Sequence, residues 1–298
     1  MSLLLETLNG PLGWRVLRNR GRARAFVSRL LQKNTQRRLH VFLSGNWQPS
    51  PPASGGRGFA VSLTSWTLRL EALPLTLISL LDQKLRACEI HVWLTVEDLG
   101  RLPQAVVEAF SAHGVIFQTC KNLGPHKKWL PMLQIGYEWP FVICDDDIFY
   151  PRDWLRSLIK EDRSDAYVGT RVHRMGACGS DLAGYESWSR DIAWDGKPSE
   201  WNFITGCGGA VIHPERIGSD FRDWDRIQNE CPKADDIWLK AAHLAAGVPV
   251  YKTRYSFPCL EIPGTGESAL LAANVDSGGN NSQLGILKQE WAKSQSQT

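Results

Sequence analysis

The 298 residues are 43% hydrophobic and 22% charged, enough apolar material for a large core and too much for a disordered chain. The formal net charge of +3 hides an asymmetry: residues 1–57 hold ten Lys and Arg against the single acid Glu6, and the remainder holds 24 basic and 30 acidic residues. Seven cysteines, odd in number and without a CxxC pair, argue against a disulfide framework or a zinc site and point to a reducing, cytoplasmic setting.

Residues 3–42 alternate apolar groups (Leu8, Trp14, Leu17, Val27, Leu31) with Arg15, Arg18, Arg22, Arg29, Lys33 and Arg37. Such a basic amphipathic helix reads either as an element lying on an anionic membrane surface or as a helix packed on the domain with a solvated basic face. Nucleic-acid binding is not expected, because no recognition module accompanies the charge. No stretch reaches the roughly 18 to 20 apolar residues that a transmembrane helix needs, and residues 1–13 lack a secretion signal. The segment from Gly45 to Gly58, rich in Pro, Gly and Ser, reads as a linker ending at a domain boundary.

From there the pattern alternates strand and helix: FAVSLT (59–64), a helix near 69–82, EIHVWL (89–94), a helix near 103–112, VIFQTC (115–120) and a helix near 126–137. This predicts an α/β domain whose sheet is mostly parallel and flanked by helices. The strand PFVIC then runs into Asp145, Asp146 and Asp147, and ligands of open α/β sheets bind outside such strand ends.

Three adjacent carboxylates repel one another unless a cation sits among them, and hard oxygen ligands select Mg²⁺ or Mn²⁺. In extended backbone Asp145 and Asp147 share one side and Asp146 faces away, the arrangement of a DxD motif. The bland alternative is an acidic loop capping the helix that starts near Pro151. A second pair, Asp235 and Asp236, precedes a helical pattern. One is expected to cap that helix, and the other to point into a cleft as general base. Between the two sets, Gly206, Gly208 and Gly209 either let backbone approach a ligand or make a tight turn. His126, Lys127 and Lys128 stand at a helix start, suited to anionic phosphate or simply solvated.

These features stand within VSLTSWTLRL (61–70), GPHKKWLPML (124–133), VICDDDIFYPRDWL (142–155), FITGCGGAVIHP (203–214), CPKADDIWLKA (231–241) and PGTGESALLAAN (263–274). Over residues 59–290 this ordered set resembles a bacterial glycosyltransferase family of GT-A type, family 2-like, of polysaccharide and lipopolysaccharide biosynthesis. The resemblance implies a Rossmann-like GT-A domain over 59–265, behind a basic helical extension (1–44) and the linker (45–58), with a tail (266–298) closing over the site.

It further implies that Thr64, Ser65 and Arg69 border the nucleotide, together with Asp146, Gly208 and Gly209. Asp145 then contacts the ribose side and Asp147 the metal, with Asp145 as a second metal ligand. Lys128 reaches donor phosphate or base, and Asp235 or Asp236 is the acceptor-side acid. Glu267, Ser268 and Asn274 close over the donor. The implied reaction moves a sugar from a nucleotide-diphosphate donor, a UDP-sugar by preference, to a glycan or lipid-linked acceptor, with Mn²⁺ or Mg²⁺ as cofactor. Inversion is expected, with a retaining exostosin-like transferase and a metal-dependent nucleotidyltransferase as alternatives. The protein is expected in the cytoplasm, at the inner membrane face. Trp66 and Thr67 replace an expected Tyr and Pro, and His243, the last histidine, lies too early to be a C-terminal metal ligand.

Overall fold

The computed structural model describes residues 21–51, 59–179, 181–265 and 279–296. Helix α1 (Gly21–Leu43) comes first, followed by β1 (Ala60–Thr64), α2 (Leu73–Leu81), β2 (Glu89–Leu94), α3 (Val96–Arg101), α4 (Gln104–Ser111) and β3 (Val115–Thr119). Next come α5 (Leu130–Gln134), β4 (Phe141–Ile143), α6 (Trp154–Lys160), β5 (Tyr167–Gly169), β6 (Val172–Arg174), β7 (Ala177–Cys178), β8 (Asp181–Leu182), β9 (Asn202–Ile204) and β10 (Ala210–Ile212). The chain continues through α7 (Trp224–Glu230), α8 (Asp235–Ala245), β11 (Val250–Lys252), α9 (Gly279–Gln283) and α10 (Gly285–Gln295).

Seven strands form the central sheet in the order β11-β5-β10-β4-β1-β2-β3, in which only β10 runs antiparallel to its neighbours. The fold is therefore α/β with a mostly parallel sheet flanked by helices, as the strand and helix alternation predicts. Strand alternation sends successive residues to opposite faces. Val61, Leu63, Val142 and Val211 pack with Leu73, Leu77, Phe110, Trp154 and Leu158 on one side. Ala60, Phe141, Ile143, Ala210 and Ile212 pack with Leu130, Trp238, Leu239, Leu287 and Trp291 on the other. Burial on both faces explains why β4 reads as an unbroken apolar run, and why Ser62, the polar residue inside β1, is itself buried. Two small ribbons, β6 with β9 and β7 with β8, stand beside the main sheet.

Two expectations change and one open choice is decided. The helix near 69–82 is shortened to α2, with Pro74 in its first turn and a separate 3-10 turn at Thr67–Arg69. The helix near 126–137 is a 3-10 turn, Gly124–Lys128, followed by α5; Pro131 has no N–H for the bond that a continuous helix requires. The basic helix packs on the body: Val27 and Leu31 of α1 meet Ala72, Leu75, Leu260 and Ile262, and Phe42 lies 4.8 Å from the Phe110 ring. The packed alternative is thus what residues 21–43 adopt, and their apolar edge covers protein; residues 1–20 lie outside the described residues. Ser50 of the expected linker accepts a hydrogen bond from Arg86 at 2.6 Å. Residues 279–296 are likewise docked, Trp291 packing at 4.3 Å from Trp201.

Candidate functional site

Strands β1 and β4 are parallel neighbours, so their C-terminal ends deliver Thr64–Ser65 and Asp145–Asp147 to one edge of the sheet. The three acids have left the strand for a turn. Strict alternation therefore does not hold, and the pairing predicted for them is different. Asp146 accepts from Ser65 Oγ and from Arg69 at 3.0 Å, and Asp147 meets the same guanidinium nitrogen at 3.1 Å. Asp146 and Asp147 thus share one cation, while Asp145 turns the other way and takes Lys128 Nζ at 2.8 Å.

Lys128 joins the two acidic segments. Its ammonium also lies 2.9 Å from Asp235 Oδ2, close enough for an ion pair though not aligned for a hydrogen bond. Neither Asp235 nor Asp236 caps α8: the cap position is Ala234, without a side-chain bond, and both acids occupy the first turn. That turn still favours negative charge. Asp236 Oδ1 accepts from the Gly206 amide at 3.0 Å. A side chain at residue 206 would place its first carbon 2.6 Å from Lys128 Nζ and 3.1 Å from Asp236 Oδ1, so glycine there is required by the cluster itself.

One lysine thus serves three carboxylates. Burial opposes the charge of Lys128, but Asp145, Asp235 and Asp236 outweigh it and hold the ammonium well above its ordinary range. Burial and the neighbouring Asp235 push Asp236 well above the usual carboxylate range, partly offset by Lys128. Asp235 is also raised by burial, with Lys128 pulling it back. Asp236 is the more exposed of the pair and has an N–H, not a cation, as its bonded partner, so it is the better-placed proton acceptor.

Burial and the charge of Asp146 likewise drive Asp147 well above its ordinary range, against Arg69, with Asp145 and Glu261 adding to the rise. Negative charge around Asp147 therefore exceeds what Arg69 offsets. That donor set suits a hard divalent cation held by one carboxylate and completed by substrate phosphates. The Asp145–Asp147 clamp predicted from the sequence is not formed, and among the described residues no three His, Cys, Asp or Glu side chains are grouped to hold a metal ion.

The remaining expected residues divide clearly. Ser65 and Asp146, 2% and 3% exposed, spend their polar atoms on each other and on Arg69. Thr64 donates to the Trp93 carbonyl at 2.7 Å. The space beside Gly208 is filled by Arg171 and that beside Gly209 by the Trp154 indole, so the close approach these glycines allow is to protein. His126 is buried against the Cys231 carbonyl, its pKa lowered to about 3 by burial, and Lys127 donates to Ser65 O at 3.0 Å. Both side chains therefore bond to backbone carbonyls of the protein. His243 stacks on Tyr167 at 3.8 Å. Glu267, Ser268 and Asn274 lie outside the described residues.

Sequence reading missed Tyr150, Glu261 and Arg171. The Tyr150 hydroxyl accepts from Asp145 N at 2.9 Å and donates to Cys207 O at 3.2 Å, fixing the acid turn to the glycine loop. Glu261 pairs across a bridge with Ile148, and Ile262 N donates to Asp147 O at 2.7 Å. No local pattern announces either contact. Arg171, a charged residue two positions past the end of strand β5, was the readable signal.

The sequence matches no protein-family model and none of the curated proteins. Among solved structures, the chain resembles a mannosyltransferase from Pyrobaculum calidifontis in complex with GDP-Man and Mn²⁺, at 14% identity and TM-score 0.43 over 83% of this chain and 66% of that one. It also resembles the inositol-1-phosphate CTP transferase from T. maritima (12% identity, TM-score 0.41, 78% and 97% covered). A third is S. aureus TarS 1-349 in complex with UDP (13% identity, TM-score 0.40, 67% and 60% covered). The chain thus spans just under two thirds of the mannosyltransferase.

Proposed function

We propose that the protein is a metal-dependent glycosyltransferase of GT-A type, moving a sugar from a nucleotide-diphosphate donor to a membrane-proximal glycan or lipid-linked acceptor with inversion. The observation that carries this reading is the convergence, at the C-terminal edge of β1 and β4, of two acidic segments about 90 residues apart in sequence on either side of Lys128. Asp147 is the carboxylate that would hold Mn²⁺ or Mg²⁺. A bound ion of this kind stabilises the charge that develops on a leaving diphosphate as the glycosidic bond breaks.

The chain's own residues divide the work. Arg69 orients Asp147 and shields it from Asp146. Lys128 neutralises Asp145 and Asp235, which leaves Asp236 as the carboxylate able to take the acceptor hydroxyl's proton while that oxygen attacks the far face of the anomeric carbon. The acceptor's membrane-proximal position is supported by α1, whose Arg22, Arg29, Lys33 and Arg37 are all exposed. Arg24 and Arg29 line, with Glu261, a cavity of about 330 Å³, so this basic surface stands next to the segment bonded to Asp147. No described helix is long and apolar enough to cross a membrane, and the proposed attachment at the inner face of the cytoplasmic membrane rests on the exposed basic side of α1.

Incubation with nucleotide sugars and Mn²⁺ should release a nucleoside diphosphate. Asp147→Asn and Asp236→Asn should each lower that turnover by about 100-fold or more, the scale of a lost charge-stabilising or proton-accepting group. Release of pyrophosphate from a nucleoside triphosphate instead would make the protein a nucleotidyltransferase, and wild-type turnover in Asp147→Asn would remove that residue's role. NMR of the new linkage decides between inversion and retention.

A further inference from the structure

On the other side of the Thr205–Gly208 turn from the acids, the charge reverses. Arg171 follows β5 at the C-terminal edge of the sheet, and its NH1 donates to Thr205 Oγ1 at 2.8 Å and approaches Cys207 Sγ at 3.5 Å. Asp236 holds the very next amide, that of Gly206, so the guanidinium and the proposed base flank one peptide. No carboxylate lies within ion-pair distance of Arg171 among the described residues. A guanidinium has five donors in a fork that matches an oxyanion. Those of Arg171 not engaged by Thr205 and Cys207 are neither bonded to protein nor among the sealed, unpartnered nitrogens.

Two further cations stand close by. Arg190 is exposed, its guanidinium 6.0 Å from the Tyr185 ring. Lys252 is buried at the end of β11, donating to Thr170 O at 2.6 Å, with Asp191 at 3.7 Å. Asp191 N donates to His173 Nδ1 at 3.1 Å and Ile192 N donates to Val172 O at 2.8 Å, so the segment that carries Arg190 is bonded to the two residues that follow Arg171. Against the three cations stand Asp191 and Cys207, whose thiol is lowered to about 6 by its hydrogen bond with Cys259 and by the charge of Arg171. The site is bipolar, with excess negative charge around Asp147 and Asp236 and positive charge around Arg171.

Resting on the glycosyltransferase reading above, we propose that Arg171 and Arg190 form an acceptor subsite that binds an anionic group, a phosphate or a carboxylate, on the acceptor molecule. Docked there, an acceptor would present a neighbouring hydroxyl across the Thr205–Gly206 peptide to Asp236. The subsite is separate from the donor diphosphate, which belongs at Asp147 on the far side of Lys128.

The test is calorimetric titration of the full chain, with and without UDP and Mn²⁺, using inorganic phosphate, glucuronate and neutral glucose. Phosphate or glucuronate should bind whether or not nucleotide is present, and glucose should not; which anion binds names the acceptor's group. Arg171→Met should weaken the anion about tenfold or more, the scale of lost hydrogen bonds to a charged group. Arg190→Gln, at an exposed position where folding is not at stake, should weaken it several-fold. The proposal is overturned if neither anion binds the wild type, if Arg190→Gln and a folded Arg171→Met bind it unchanged, or if UDP displaces it. Nucleoside diphosphate release by the wild type is measured in parallel: its absence removes the glycosyltransferase reading, whereas release with no anion binding removes only the subsite.

Discussion

Gly206 and Lys128 show how closely the site is built around single groups. Gly206→Ala would force a methyl group into the space held by Lys128 and Asp236, at a cost of about 1–3 kcal/mol. Chemical denaturation should register that loss, and nucleoside diphosphate release should fall further than stability does. Lys128→Met leaves buried carboxylates without their cation, a loss of about 3–5 kcal/mol at neutral pH. The sign of its pH dependence follows from the raised carboxyls of Asp235 and Asp236. The folded state binds protons there more tightly than the unfolded chain, so stability is lost as pH rises through the raised pKa and recovered as pH falls. The gap between variant and wild type should therefore narrow toward acidic pH; a gap of constant size would contradict the role given to Lys128. The residues of this cluster were legible as types, since a buried strand ending in three acids is visible in the sequence. Their partners were not, because a backbone turn at Asp146 cancels the alternation on which the reading of sides relies.

At the scale of elements, periodicity located β1 to β4 almost to the residue, since each is buried on both faces or patterned by the sheet. Helix α1 is where the sequence left two readings open. Its composition alone fits a membrane surface and a protein surface equally well. Tertiary contact resolves the choice for the apolar side, where Val27 and Leu31 are 4% and 8% exposed. The basic side is left outward, with Phe26 63% exposed among its arginines. In the membrane attachment proposed above, Arg29, Lys33 and Arg37 would each contribute about 1 kcal/mol to binding an anionic bilayer. Replacing all three with Glu should abolish flotation of the protein with phosphatidylglycerol vesicles, leave its absence from phosphatidylcholine vesicles unchanged and preserve turnover on soluble acceptors. Flotation that survives the triple replacement would refute the membrane role of these residues.

For the molecule as a whole, a ligand that binds only the native state raises its stability by about 2.7 kcal/mol at roughly 100 times Kd. The correct nucleotide sugar should therefore lift the melting temperature by several degrees with Mn²⁺ present. The lift should be lost in Asp147→Asn and without metal. A shift equal in both proteins would place the donor elsewhere.

What the sequence determined by itself is the α/β class, the parallel core strands and the identity of the acids at their ends, because burial and backbone period act over a few neighbouring residues. Only the tertiary structure decided that Asp145 and Asp147 serve different cations, that Lys128 bridges residues 145 and 235, and that Arg171 stands across one peptide from Asp236. Those outcomes depend on which distant side chains meet at the edge of the sheet, and no local pattern records such a meeting.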